Sequence, residues 1–132
     1  VWVPKVRAAV DPRTSIADTL ATTLATQNAD AAVQHYRDLK TSTSAPAYNF
    51  DEKELNTLGY QLLAKHRYTD AIRILQLNVE NFPQSSNVYD SLGEAYADAG
   101  DKPHAIQLYR HSLQLNPKNT GAVLMLKKLG AP

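Results

Sequence analysis

Apolar residues recur at three- and four-residue spacing from Ile16 to Leu129, broken by short polar turns, and this pattern predicts seven amphipathic helices. Ser15 followed by Asp18 forms a capping-box-like start, and Ile16, Leu20 and Leu24 carry the first helix to about Gln27. After the Asn28-Ala29-Asp30 turn, Ala32, Val33, Tyr36 and Leu39 mark a second helix ending near Thr41. A polar linker with Pro46 at its middle occupies Ser42 to Asn49. The third helix opens at Phe50-Asp51: Asp51 is placed to cap, Glu54 to reach back to it, and Phe50 to staple onto Leu55. It buries Leu55, Leu58, Leu62 and Leu63 and runs to about Lys65. A fourth helix carries Ala71, Ile72, Ile74, Leu75 and Val79 and stops at Asn81-Phe82-Pro83. Two more lie between Tyr89 and Pro117, separated by Gly100-Asp101. Asn119 or Thr120 caps the seventh, with Val123, Leu126 and Leu129 on its apolar face and Lys127 and Lys128 on the other.

The spacing repeats. Tyr89, Leu92-Gly93, Tyr96, Ala105, Tyr109 and Pro117 have counterparts at one constant offset in Leu55, Leu58-Gly59, Leu62, Ala71, Leu75 and Pro83. Glycine at 59 and 93 lets two helix backbones approach, and His66 stands where Gly100 closes the equivalent helix with a left-handed residue. This pattern resembles the tetratricopeptide repeat family. The resemblance implies an all-α, right-handed superhelix of antiparallel helix pairs with a C-terminal capping helix. Residues 1–14 then form an extended linker from an upstream region, and 15–132 a single domain. Within it, 15–41 is a degenerate repeat, 52–85 and 86–119 are full repeats, and 120–130 is the cap. Lys127 takes the position of Gly59 and Gly93, as suits a solvating end helix with no partner behind it.

A narrower resemblance covers most of the chain from Ile16 onward. The strings YNFDEKELNTLGYQLL, LNVENFPQSSNVYDSLGEAYADAGDK and YRHSLQLNPKN, preceded by AAVQHYRDLK, are similar to a bacterial module at the C-terminal end of serine hydrolases related to class C β-lactamases and penicillin-binding proteins. The hydrolase machinery is not in these residues. No Ser has a Lys three positions later, and there is no Gly-x-Ser-x-Gly or His-Glu-x-x-His. The chain is therefore expected to have no catalytic, cofactor or metal residues of its own.

Composition narrows little else. The 132 residues carry a net charge of +1, which gives no global pull toward nucleic acid or membrane, and there is no cysteine for a disulfide or a thiolate. No apolar run reaches membrane-spanning length. The start, VWVPKV, lacks both Met and a visible signal peptide and reads as a fragment or processed chain. The compartment stays open: bacterial cytoplasm, or periplasm if the module is attached to a secreted hydrolase.

His35, His66, His104 and His111 are scattered; His104 and His111, seven apart on one helix, lie roughly 10 Å apart along its axis, too far to share a metal. More informative are the positions that line the concave face in the resembled family: Asn56, Tyr60 and Ala64 in one repeat, and Asp90, Glu94 and Asp98 in the next. Three carboxylates at four-residue spacing repel one another and call for cations, either Lys128 on the cap helix or a basic or amide-rich peptide in the groove. Acids and Asn at these places argue against a receptor for peptide C-terminal carboxylates. The expected function is a non-catalytic interaction module for a peptide or protein partner. The alternative is a structural domain that packs on and stabilises its parent hydrolase, which an apolar patch on the convex side or the first hairpin would favour. A further expectation is that the connector, through Lys5, Arg7 and Arg13 with Trp2 as an apolar anchor, docks in the acidic groove.

Overall fold

The computed structural model describes residues 11–131. Seven helices fill them: α1 (Ile16–Thr26), α2 (Ala29–Thr41), α3 (Glu52–Ala64), α4 (Tyr68–Asn81), α5 (Ser86–Asp98), α6 (Lys102–Leu115) and α7 (Thr120–Lys128). The fold is an all-α helical repeat. Successive helices pair as α1/α2, α3/α4 and α5/α6, while α1 packs on α3 and α3 on α5 in one layer, and α2 packs on α4 in the other. A main core cluster runs from Ile16 through Ala95, and a smaller one of Ala105, Tyr109 and Ala122 joins α6 to α7.

Two helix pairs show what the paired glycines do. A Cβ on Gly59 would lie 2.4 Å from Leu75 Cδ2, and one on Gly93 would lie 3.2 Å from the Tyr109 ring. The same close contact is thus made once in each repeat, with Leu75 and Tyr109 filling the space a side chain would need. The turn after each first helix is equally repeated. His66 has φ 58° and Gly100 φ 87°, and in each turn the next residue's N–H donates back to the helix, Arg67 to Leu62 O and Asp101 to Tyr96 O, both at 2.9 Å. These are Schellman closures, and they place a left-handed residue at 66 as the alignment with Gly100 requires. Gly130 closes α7 the same way, with Ala131 N–H donating to Leu126 O at 2.9 Å.

Several local expectations are corrected. Thr14–Ser15 (β1) pairs in parallel with Tyr48–Asn49 (β2), so the end of the connector is tied to the end of the Ser42 to Asn49 linker, which also holds a short 3-10 turn at Ala45–Ala47. Asp51 occupies the N-cap position of α3 without a side-chain capping bond, and Glu54 does not reach back to it. The Glu54 carboxylate instead accepts from the Ser15 hydroxyl and from the Ala17 N–H at 3.3 Å, so it serves the N-terminus of α1 across the layer. Negative charge there meets both unsatisfied amides and the positive end of the helix. Ser15 itself caps α1, accepting from Asp18 N at 3.1 Å. Phe50 packs edge-on against Tyr36, ring centroids 5.2 Å apart, with Lys40 Nζ 5.4 Å from the Tyr36 ring and 5.9 Å from that of Phe50.

The end helix also differs from expectation. α7 buries Ala122 and rests Met125, Leu126 and Leu129 on α6, leaving Val123 38% and Leu124 64% exposed. Of the expected apolar face, Leu126 and Leu129 are in contact and Val123 is not, its place being taken by Ala122 and Met125; Asn119, one of the two expected caps, accepts from Ala122 N at 3.1 Å. Leu108 packs into the main cluster, so what α7 covers is Ala105, Tyr109 and Leu113.

Candidate functional site

The acidic row lies along α5, between α3 and the start of α7. Asp90 is one turn into α5, half-buried, and its Oδ2 accepts from Asn119 Nδ2 at 2.7 Å. Asn119 is held in turn by Ser112 Oγ at 2.9 Å, and the Ser112 hydroxyl donates to Ser86 O at 3.1 Å. Asp90 Oδ1 is buried and without a hydrogen-bond partner among the described residues. One turn on, Glu94 Oε2 accepts from the Tyr60 hydroxyl at 2.6 Å. Asn56 Oδ1, on the same face of α3, accepts from the Ser91 hydroxyl. Ala64 and Asp98, at the C-terminal ends of the two helices, are exposed.

The structure thus joins Tyr60 to Glu94 by a direct hydrogen bond, while Asn56 is tied to α5 through Ser91 and Asp90 to the start of α7 through Asn119. It does not bring in Lys128. Among the described residues Lys128 makes no ion pair, and neither do Asp90, Glu94 or Asp98. The donors that answer the acids are neutral, a phenol and an amide, so the expectation that Lys128 balances the row is overturned. A neutral donor satisfies a carboxylate oxygen but cancels none of its charge. The field shows in two tyrosines. Tyr60 is pushed up to about 12 by burial first and then by its bond to Glu94, and Tyr109 beneath the row is raised by burial and then by the charges of Glu94 and Asp90.

The connector's part is only partly visible. Trp2, Lys5 and Arg7 lie outside the described residues. Arg13 does not face the groove: it pairs with Asp11 at 2.6 Å and with Asp51 at 3.3 Å, at the foot of α3, and its guanidinium holds the Asp11 carboxyl down at about 2.

Each histidine has a local contact. His35 Nδ1 lies 3.1 Å from Thr23 Oγ1, His66 Nδ1 lies 2.7 Å from the Tyr68 hydroxyl, and His111 packs on the Tyr89 ring at 4.1 Å. His104 stacks on Tyr96 at 4.8 Å and lies 2.6 Å from Asp101 Oδ2. Among the described residues no three His, Asp or Glu side chains converge as a metal site would need, and no helix is long and apolar enough to cross a membrane.

What sequence reasoning misses is the role of Asn119. It caps α7 and binds Asp90 at once, a link over 29 residues that no local pattern announces. Its place immediately before the seventh periodic segment is the one available signal. Set against curated proteins, the chain finds no match. Residues 86–119, which are α5, α6 and the Asn119 cap, match the model of the tetratricopeptide repeat family.

Proposed function

We propose that the chain is a protein-interaction module whose α3/α5 face holds an extended basic or amide-rich segment of a partner. The tetratricopeptide match at 86–119 supports protein binding in general. The observation that carries the finer reading is the row Asp90, Glu94, Asp98 with neutral donors and no cation among the described residues. Like charges four residues apart cost a helix a few tenths of a kcal/mol per pair, and an incoming cation relieves that cost while gaining attraction. A structural domain clamped to a parent enzyme would present apolar surface on its first hairpin or convex side. The exposed large apolar side chains among the described residues are Tyr60, Val123 and Leu124, none of them on α1 or α2. Placement behind a bacterial serine hydrolase is carried only by the similarity of the strings around Tyr48, Leu77 and Tyr109, and the groove reading does not depend on it.

The test is fluorescence anisotropy with labelled Lys/Arg-rich, Gln/Asn-rich and Glu-rich peptides. Basic peptides should bind best, binding should weaken as salt rises, and Glu94→Gln with Asp98→Asn should remove most of the preference. Equal affinity for the basic and acidic peptides would refute the reading.

A further inference from the structure

We infer that a buried water molecule joins α4 to the start of α5, held by Asn78, Ser85 and Asn56, and does there what the Asn119 side chain does one repeat further on. Asn78 is the residue that calls for it. It is 1% exposed, its Nδ2 donates to Glu52 O at 3.0 Å, and its Oδ1 is buried with no hydrogen-bond partner among the described residues. A backbone carbonyl only accepts, so the amide cannot be turned round to satisfy its oxygen without losing the bond to Glu52. Buried acceptors of this kind are met in native proteins by a protein donor or by an ordered water.

The second repeat shows which donor belongs opposite. Moving on by 34 residues, the separation of Tyr60 from Glu94, takes Glu52, Asn56, Asn78 and Ser85 to Ser86, Asp90, Ser112 and Asn119. The bond from Asn78 to Glu52 O has its counterpart in the bond from the Ser112 hydroxyl to Ser86 O at 3.1 Å, so residues 78 and 112 hold equivalent places. At the second place Asn119 Nδ2 donates both to Ser112 Oγ at 2.9 Å and to Asp90 Oδ2 at 2.7 Å. Ser85 stands at the N-cap of α5 as Asn119 does at that of α7, with φ −89° and ψ 120° against −75° and 86°, but makes no side-chain capping bond. Its side chain is one bond shorter than that of Asn119 and carries a single proton, so it cannot serve two residues at once.

The same correspondence accounts for the other orphaned acceptor. Asn56 Oδ1 accepts from the Ser91 hydroxyl, whereas the counterpart of Ser91 beside Asp90 is Met125, which has no proton to give, and Asp90 Oδ1 is without a partner among the described residues. With its oxygen taken by Ser91, Asn56 keeps its Nδ2 as a donor. A water between the three side chains donates to Asn78 Oδ1, shares a proton with the Ser85 hydroxyl and accepts from Asn56 Nδ2, within the two to four partners that a buried water needs. It ties Asn56, on the groove face of α3, to α4 and α5, as Asn119 ties Asp90 to α6 and α7.

Two measurements on the full chain test this. A high-resolution crystal structure should hold an ordered water within hydrogen-bond distance of Asn78 Oδ1 and Ser85 Oγ; a direct bond between those two atoms, or a different donor on Asn78 Oδ1, would overturn the inference. Thermal melts then compare Ser85→Asn with Ser85→Asp. Asn and Asp are equally good N-caps, and the negative charge of Asp suits a helix N-terminus, so capping alone ranks Asp level with Asn or above it. Only Asn brings a proton for Asn78 Oδ1 and can displace the water. Ser85→Asn should therefore raise the melting temperature by about 3–5 °C, and Ser85→Asp should not. In the presence of Asn78→Ala, which removes the acceptor, the advantage of Asn over Asp should vanish. If Asp stabilises as much as Asn, or the Asn advantage survives Asn78→Ala, the water has no such site.

Discussion

The guanidinium of Arg67 lies 2.8 Å from the Asp70 carboxylate, and between them the two side chains finish both ends of the α1–α2 turn. Arg67 donates to Leu24 O at 2.7 Å and to Gln27 O at 3.2 Å, where α1 runs out of partners for its last carbonyls. Asp70 accepts from Ala29 N at 2.8 Å, one of the unpaired amides that open α2. A pair placed at the start of α4 thereby substitutes for the closing residue that the first hairpin lacks, since Gln27 is extended where His66 and Gly100 are left-handed.

Removing the cation leaves the half-buried Asp70 carboxylate with its Ala29 N–H but no counter-charge, and takes the side-chain donor from the Leu24 and Gln27 carbonyls. Arg67→Ala should cost about 1–3 kcal/mol in urea unfolding, and Asp70→Asn less, because an amide oxygen still accepts from Ala29. Hydrogen exchange at the Ala29 amide should speed up in Asp70→Ala relative to Asp70→Asn. Equal exchange in the two would show that the side chain does not hold this turn.

The glycines give a prediction of a different kind. Alanine is the better helix former by about 1 kcal/mol, so Gly→Ala in mid-helix stabilises unless the Cβ has no room. At Gly59 it has none: Leu75, 1% exposed, would lie within 2.4 Å, whereas at Gly93 the nearest Tyr109 atom is at 3.2 Å. Gly59→Ala should therefore destabilise by about 1–3 kcal/mol and Gly93→Ala by less, with Gly93→Leu again costly. Combining Gly59→Ala with Leu75→Ala should cost clearly less than the sum of the single changes, as the second substitution vacates the space the first needs. Strict additivity would contradict the contact.

These contrasts show what is legible in the chain. The helix pairs, the repeat register and the left-handed residue at 66 are readable because each is a local property written twice, at 55–83 and at 89–117. Face assignment in α3 and α5 is readable for the same reason. Partners are not. Local spacing assigns Glu54 to Asp51, its near neighbour, but it binds Ser15, 39 residues away; charge assigns Lys128 to the acids, but Asn119 and Tyr60 take those places. The two-residue strands of β1 and β2 are too short to carry any alternation, and in α7 the spacing finds Leu126 and Leu129 but puts Val123 where Ala122 and Met125 make the contact. Side-chain partners across helices depend on packing that a single sequence does not encode locally.

His66 tests the turn directly. Its φ of 58° costs a non-glycine residue roughly 1 kcal/mol or more, and its side chain is exposed, lying 2.7 Å from the Tyr68 hydroxyl. His66→Gly should be neutral to about 1 kcal/mol stabilising, the relief of backbone strain exceeding the loss of one exposed hydrogen bond. His66→Val should cost about 1 kcal/mol or more. Thermal melts of the two variants should move in opposite directions or, at the least, separate clearly.

Removal of residues 120–132 should uncover Ala105, Tyr109 and Leu113, the patch that α7 occupies, and leave Asn119 without the helix that holds it against Asp90. A repeat array with a bare apolar end associates. Sedimentation of the shortened chain should show self-association, and a stable monomer with the parent's melting temperature would rule out a structural role for α7.

Alkaline pH offers the last test. The Tyr36 side chain is 1% exposed, and burial pushes its hydroxyl up to about 12. The hydroxyl also accepts from Asn81 Nδ2 at 3.2 Å, with Lys40 Nζ at 3.5 Å. In the unfolded chain a tyrosine titrates near 10, so between about pH 10 and pH 12 the unfolded state sheds a proton that the folded state keeps. The stability tied to that proton is complete below about pH 10 and is lost as pH rises toward 12, for a total of roughly 2–3 kcal/mol from this residue. Tyr60 and Tyr109 shift in the same direction and steepen the fall. Tyr36→Phe keeps the ring against Phe50 but removes the titrating group. Urea unfolding of the parent should lose stability steeply over this window, and the Phe variant, though weaker at neutral pH for want of its Asn81 bond, should lose less. Parallel curves for the two proteins would mean that Tyr36 ionises as readily inside the fold as outside it.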